Sequence, residues 1–290
     1  MSVARVTAQA KLNLGLRVLA REASGYHAIE TIFVRIELGD RVTVRTGGRE
    51  RSIHCTGANV GPAADNLAHR AARAYANATG WPDGFAIEID KVIPVGGGLG
   101  GGSADAGAVL RALNGLAPRP CAEHELLGIA GTLGSDVPYL TTAAPLALAW
   151  GRGERMLVLP PLPTRHVVLV LPHFGISTAA AYGWLAATRA ETPPAPALLD
   201  LEQLGGWKEL AAHAGNDFEP VVAERHPEIR AIIDALRCAG ASIAQMTGSG
   251  STVYGIFADA PDVASIERVV PGRVVVTRTV ETVGAVSCES

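Results

Sequence analysis

The chain has 290 residues, 48% of them apolar and 18% charged, with a formal net charge of -3. This composition excludes extensive intrinsic disorder, and the slight negative charge excludes nucleic-acid binding driven by a basic excess. No window of about 18 uninterrupted apolar residues occurs and the first residues lack a signal-peptide core, so no membrane span or secretory leader is expected and the cytosol is the expected compartment.

At about 150 residues per domain, the length suggests two domains. Residues 3–8 and 12–18 read as strands, rich in β-branched residues and partly alternating. Residues 29–37 and 41–45 read as two more, with Gly47-Gly48 as the turn that follows. Asp65 or Asn66 can cap a helix whose apolar spacing runs through Leu67, Ala71, Ala74 and Tyr75, and Gly80 can end it. Residues 85–93 alternate as a strand. A glycine run at 96–102 and a helix from near Ser103 to near Gly115 come next. A second helix is expected over 122–132, then strands at 145–150 and 155–159. The proline-rich stretch 160–163 is the expected boundary between a domain at 1–159 and another at 160–290. Beyond it, 166–171 reads as a buried strand, 178–188 and 218–238 as helices, and 190–197 as a loop. A glycine turn at 247–251 leads into a strand at 252–257, and 273–280 is a late strand. Strands and helices come in irregular groups, which predicts an α+β fold rather than a doubly wound parallel sheet. The four cysteines, Cys55, Cys121, Cys238 and Cys288, form no C-x-x-C pair, and reduced thiols are expected.

The strongest local feature is Pro94-Val95-Gly96-Gly97-Gly98-Leu99-Gly100-Gly101-Gly102-Ser103. Without Cβ atoms the backbone can take positive φ and approach a ligand closely. Successive amides can then face one concavity, and a following helix N-terminus adds positive character, which together suit a polyphosphate. Gly96, Gly98 and Gly101 formally satisfy G-x-G-x-x-G, but the second strand and its terminal acid that a dinucleotide site needs are missing. No lysine precedes Ser103, so the run is not a P-loop either.

The segment PVGGGLGGGSADAG resembles the central motif of the GHMP kinases. AKLNLGL at 10–16, SGYHAIET at 24–31, Asp65-Asn66-Leu67 and LGSDVPYL at 133–140 accompany it in order. GRGE at 151–154, NDFEP at 216–220 and MTGSGSTVYGIF at 246–257 complete the series. The resemblance spans about residues 10–257. Its G-Y-H element is similar to the branch that uses ATP to phosphorylate the 2-hydroxyl of a cytidylyl diphospho-sugar alcohol in non-mevalonate isoprenoid synthesis. The resemblance implies a two-domain GHMP kinase fold with ATP, its magnesium and that small molecule as ligands, and no nucleic-acid or membrane partner. Metal ligands are unassigned, and monomer and homodimer both remain open. A mevalonate- or homoserine-type kinase and a non-catalytic nucleotide sensor are the alternatives.

Phosphoryl transfer to a hydroxyl needs cradled phosphates and an oriented, deprotonated acceptor. The resemblance implies that Asp136 is the base. Alone, an Asp in a G-S-D-x-P context reads as well as a turn or helix cap. Lys11 is costly to bury without a partner, and pairing it with Asp136 would keep the carboxylate ionised and polarise the acceptor hydroxyl. Asn13 stands beside it as a substrate-binding candidate. By resemblance, Tyr26 stacks on the cytosine, His27 reads its edge, Tyr182 completes the sandwich and Thr178 touches the diphosphate. Gly248 and Ser249, in the second glycine turn, close over the substrate. Asn66 and Lys91 resemble positions on the adenine side of ATP, and Asn66 is equally suited to cap its helix. Pro94, Gly96, Gly97, Gly98, Leu99, Gly100, Gly101, Gly102 and Ser103 form the phosphate loop, with the Ser103 hydroxyl set either to meet a phosphate oxygen or to cap the helix. Asn216-Asp217 reads as structural or substrate-adjacent. Two departures from the family pattern stand out, Gln9 where Pro is frequent and Ala104 in place of a second serine, while Asp105 stands where Asn or Asp is usual.

Overall fold

The computed structural model describes residues 2–21, 27–58, 60–151, 153, 155–188 and 202–289. In chain order the first half holds strands β1 (Ser2–Arg21), β2 (His27–Thr46) and β3 (Arg51–Thr56), helix α1 (Leu67–Thr79) and strand β4 (Phe85–Asp90). Helices α2 (Gly101–Leu116), α3 (Glu123–Gly131) and α4 (Val137–Thr141) and strands β5 (Leu146–Gly151) and β6 (Arg155–Val158) complete it. The second half runs through β7 (His166–Leu171), α5 (Thr178–Thr188), α6 (Trp207–His213), β8 (Gly215–Asn216), α7 (Glu219–Ala223) and α8 (Glu228–Cys238). It ends with β9 (Ile243–Met246), β10 (Val253–Phe257), α9 (Val263–Glu267), β11 (Arg273–Arg278) and β12 (Ser287–Glu289). The fold is α+β, as the irregular grouping predicts.

β1 and β2 are continuous 20-residue antiparallel strands where the local pattern suggests two strands each. Register shifts between Gln9 and Lys11, and again between Asn13 and Gly15, absorb the breaks in alternation. Gly39 carries β2 through its own break, because a Cβ there would meet Thr7 at 2.7 Å. One half of β2 pairs with β4, which holds β3 in parallel, and the other half pairs with β5 and through it β6. β12 and β8 add to β1, giving eight strands. The second sheet has the order β11-β7-β10-β9, antiparallel throughout.

α1 buries Ala68, Ala71, Ala72, Tyr75 and Ala76, one face at helical spacing. Asn66 caps it by accepting from the Ala68 amide at 2.9 Å, and Gly80 ends it in the left-handed conformation. α2 is buried around most of its circumference, and Gly107 lets α4 approach so closely that a Cβ would meet the Leu140 carbonyl at 2.5 Å. β7 is buried on both faces. Val167 and Leu169 join the core beneath the first sheet, whereas Val168 and Val170 join the core under α5, α7 and α8.

Several boundaries differ from the sequence pattern. The strand expected at 85–93 stops at Asp90, since the Val92 and Ile93 amides turn to the Asp40 carboxylate. α2 starts two residues before Ser103. The helix expected at 218–238 is two helices, because Pro227 lacks the amide needed to continue a helix. Three short helices, α4, α6 and α9, and the strands β8 and β12 carry too few residues for a periodic signal, and the sequence pattern does not predict β3 or β9. The loop expected at 190–197 lies outside the described residues.

Candidate active site

The glycine loop links the end of β4 to α2. Gly96, Gly98 and Gly100 have φ of 78°, 78° and 73° and alternate with residues of ordinary φ, so successive amides converge on one side. A side chain at Gly98 would run into the Thr247 carbonyl, and one at Gly97 would come within 2.5 Å of the Thr252 hydroxyl. Gly100 is the N-cap of α2 without a side-chain cap, so the amides of Gly101, Gly102 and Ser103 have no intrahelical acceptor. Ser103 is therefore not the cap. A cavity of about 350 Å³ lies along this wall. Asn66, Lys91, Pro94, Leu99, Ser103 and the six glycines all line it, so the structure brings the predicted nucleotide residues together. It offers a polyphosphate unpaired amides and a helix N-terminus.

Lys11 joins this loop to Asp136. Its backbone amide donates to the Leu99 carbonyl at 3.1 Å, and its stem packs where a Cβ on Gly100 would come within 3.1 Å. Its ammonium lies 3.4 Å from Asp136 Oδ2 and donates to Asn13 Oδ1 at 2.7 Å. The Lys11 side chain is 4% exposed and that of Asp136 26%, so the carboxylate reaches solvent space while the ammonium holds it from behind. Asp136 stands at the N-terminus of α4 but makes no capping hydrogen bond, which leaves its carboxylate free for other work. The other end of α4 is held by Arg35, whose buried Nη2 donates to the carbonyls of Tyr139 and Thr142 at 2.9 and 3.0 Å. Burial lowers this guanidinium to a pKa of about 10, and it still stays charged at neutral pH.

Asn13 is a hub. Its Oδ1 also accepts from the Gly248 amide at 3.0 Å and the Thr247 hydroxyl at 3.2 Å, and its Nδ2 donates to the Thr31 hydroxyl at 2.8 Å. Its carbonyl accepts from Gln245 at 2.9 Å and Tyr254 at 2.8 Å. Asn13 thus ties β1 to the second glycine turn. Lys91 is buried, and its ammonium donates to Asp40 and Asp105.

The family model for the GHMP kinases N terminal domain matches residues 66–143, and that for the GHMP kinases C terminal matches residues 195–275. The chain is 40% identical over 286 residues to 4-diphosphocytidyl-2-C-methyl-D-erythritol kinase from Moorella thermoacetica, covering 96% of this chain and 100% of the relative. It is 41% identical over 279 residues to the enzyme of the same name from Pelotomaculum thermopropionicum, with 94% and 96% covered. A crystal structure of 4-(cytidine 5'-diphospho)-2C-methyl-D-erythritol kinase superposes with a TM-score of 0.76 at 34% identity, covering 95% of this chain and 98% of that one. The chain belongs to the 4-diphosphocytidyl-2-C-methyl-D-erythritol kinase family.

On this kinase frame the acceptor-side candidates take definite places. Thr178, opening α5, meets Ser249 of the second glycine turn, hydroxyl to hydroxyl at 3.0 Å. Tyr182, one turn further along α5, packs edge-on against Phe218. Burial raises its phenol, and the Asp136 carboxylate adds to that rise. His27 opens β2, and Tyr26 lies outside the described residues. Asn216 and Asp217 hold the scaffold: Asn216 Nδ2 donates to the carbonyls of Met246 and Gly248, both at 2.8 Å, and Asp217 accepts from the Val18 amide at 2.7 Å. Arg35, Asp40, Thr31, Gln245 and Tyr254 also build the site; Thr31 and Tyr254 lie within the quoted motifs 24–31 and 246–257 without having been singled out, and Arg35, Asp40 and Gln245 lie in none of them. A buried charge inside an apolar strand, as in Phe33-Val34-Arg35-Ile36, is the signal that could have found Arg35. A larger cavity of about 570 Å³ lies between the far end of the β1–β2 hairpin, α5 and α7. Neither Lys11 nor Asp136 is among the described residues that line it.

Proposed function

We propose that this kinase transfers the γ-phosphoryl group of ATP to the 2-hydroxyl of 4-diphosphocytidyl-2-C-methyl-D-erythritol, yielding the 2-phosphate and ADP in the cytosol. The observation that carries this reading is Lys11, bonded through its backbone to the glycine loop while its ammonium stands 3.4 Å from Asp136. Nucleotide and acceptor chemistry thereby meet at one residue. The loop amides and the α2 N-terminus receive the phosphates. Asp136 accepts the proton of the acceptor hydroxyl as its oxygen bonds to the γ-phosphorus and the bond to the ADP oxygen breaks. Lys11 neutralises charge on both partners. Asn66 and Lys91 flank the nucleotide, and Thr178, Gly248 and Ser249 approach the acceptor diphosphate. Tyr26 and Tyr182 sandwich the cytosine, with His27 at its edge. The division at 159/160 then separates a phosphate-loop domain from one that completes the acceptor site. Among the described residues no three His, Cys, Asp or Glu side chains converge as a metal site, and magnesium, expected with ATP, would be held chiefly through the phosphates.

The test is ATP consumption by the purified protein with 4-diphosphocytidyl-2-C-methyl-D-erythritol, mevalonate and homoserine in parallel. Turnover of the cytidylyl substrate alone is expected. Turnover of another acceptor would keep the Lys11–Asp136 chemistry and overturn the roles of Tyr26, His27 and Tyr182. Tight ATP binding without turnover of any acceptor would favour a sensor.

A further inference from the structure

Beneath the glycine loop lies a cluster that the transfer chemistry does not use. Lys91 leaves the end of β4 and buries its ammonium between Asp40 of β2 and Asp105 of α2. All three side chains are at least 95% buried. Asp40 is fully engaged, since its other oxygen accepts from the amides of Val92 and Ile93. Asp105 is not. Its Oδ2 accepts from Lys91 at 2.7 Å, but its Oδ1 has no hydrogen-bond partner. The tie touches the loop directly, because a Cβ on Gly101 would stand 3.5 Å from the Lys91 ammonium, and Lys91 lines the nucleotide cavity.

Two carboxylates buried around one ammonium leave one negative charge uncompensated. Protonating one of them makes the cluster neutral. We propose that Asp105 is a positioning residue for ATP: it carries a proton when the nucleotide is bound, and with Lys91 and Asp40 it holds the loop and the α2 N-terminus in the phosphate-receiving shape. This rests on the reading of the loop as the ATP site. Burial pushes the Asp105 carboxyl up to about 7, with Asp40 adding to the rise and Lys91 opposing it. The ionisable groups that face Asp105 are Lys91, Asp40 and, from β3, the Cys55 thiol, which burial and the neighbouring Asp105 push up and so keep neutral. When Asp105 ionises, a negative charge appears in the wall that receives a polyphosphate, so ATP and the proton favour each other.

The experiment is calorimetric titration with ATP between pH 6 and 8.5, on the wild type, Asp105→Asn and Asp105→Ala. ATP's own ionisation is common to all three. The wild type is expected to lose roughly three- to tenfold in affinity across this range relative to Asp105→Asn. Asp105→Ala, with the tie broken, binds more weakly at every pH. In turnover the difference between wild type and Asp105→Asn appears in the KM for ATP and not in kcat at saturating ATP. The same pH profile in wild type and Asp105→Asn would overturn the proposal alone. A folded wild type that binds no ATP at any pH would overturn the nucleotide reading with it. Should the variants not fold, carboxyl carbon-13 NMR of aspartate-labelled wild type decides. One carboxyl titrating near pH 7 and shifting upward with ATP is expected, and the absence of any such carboxyl overturns the proposal.

Discussion

Lys11, Asn13 and Asp136 show how little of the proposed active site one residue makes alone. Lys11 and Asn13 share a strand face by the two-residue period, so their 2.7 Å contact follows from local geometry. Asp136 reaches them only through α4, which Arg35 anchors from its far end. Asp136→Asn keeps the shape and removes the proposed base, and kcat is expected to fall at least ~100-fold with the KM for the cytidylyl substrate changed little. Steady-state kinetics check this, and unchanged turnover would remove Asp136 from the chemistry. Lys11→Met leaves the carboxylate without its ammonium and should lower kcat by a similar factor. Arg35→Met should act differently. It frees the carbonyls of Tyr139 and Thr142 in a buried place and is expected to cost about 2–4 kcal/mol of stability, read by urea unfolding.

Among the elements, the glycine loop is the most tightly specified. Its positive-φ glycines are required twice over at Gly98, by the backbone conformation and by the Thr247 carbonyl packed against it. Gly98→Ala must separate the loop from the second glycine turn. It is expected to weaken ATP binding by at least ~10-fold while the far-ultraviolet circular dichroism stays native. Gly128, exposed on α3, has open space around it and no positive φ, so Gly128→Ala is the control and should bind ATP nearly normally. α1 carries a milder case. Asn66 caps it through Ala68, and Asn66→Ala should cost about 1 kcal/mol of stability whatever its effect on ATP. An ATP affinity that falls more than this loss explains would assign Asn66 to the nucleotide as well.

At the scale of the whole molecule, the two sheets are joined beside the proposed catalytic pair. Gln245 and Tyr254 of the second sheet donate to the backbone carbonyls of Asn13 and Leu14 in the first, and β7 feeds both cores. The buried Asp105 gives this assembly a pH signature of its own. Its carboxyl is raised in the folded state above the usual aspartate value, so between about pH 4 and 7 the native protein binds more protons than the unfolded chain. Its contribution therefore falls as pH rises through that window, by up to about 1.4 kcal/mol per pH unit, and levels off above it. Thermal unfolding at intervals from pH 5 to 8 should show Asp105→Asn gaining on the wild type as pH rises. Parallel curves would mean that Asp105 ionises in the fold as it does in the open chain.

The glycine run, the cap at Asn66, the period of α1 and the α+β grouping were legible in the sequence because each is a local property: φ, capping and side-chain spacing act within a few residues. The order of motifs from Ala10 to Phe257 likewise placed the chain among the GHMP kinases without reference to its shape. What the sequence could not reveal are relations across the chain. Whether β1 and β2 were two strands or four depended on pairing that carries each through its own irregularities. The fate of Asn216 and Asp217 depended on the turn they support. Lys91 was legible as a candidate beside the nucleotide, but its pairing with Asp40 and Asp105 appears only in the structure. Only tertiary structure decides such matters, because burial and charge pairing are set by residues 14 to more than 200 positions away.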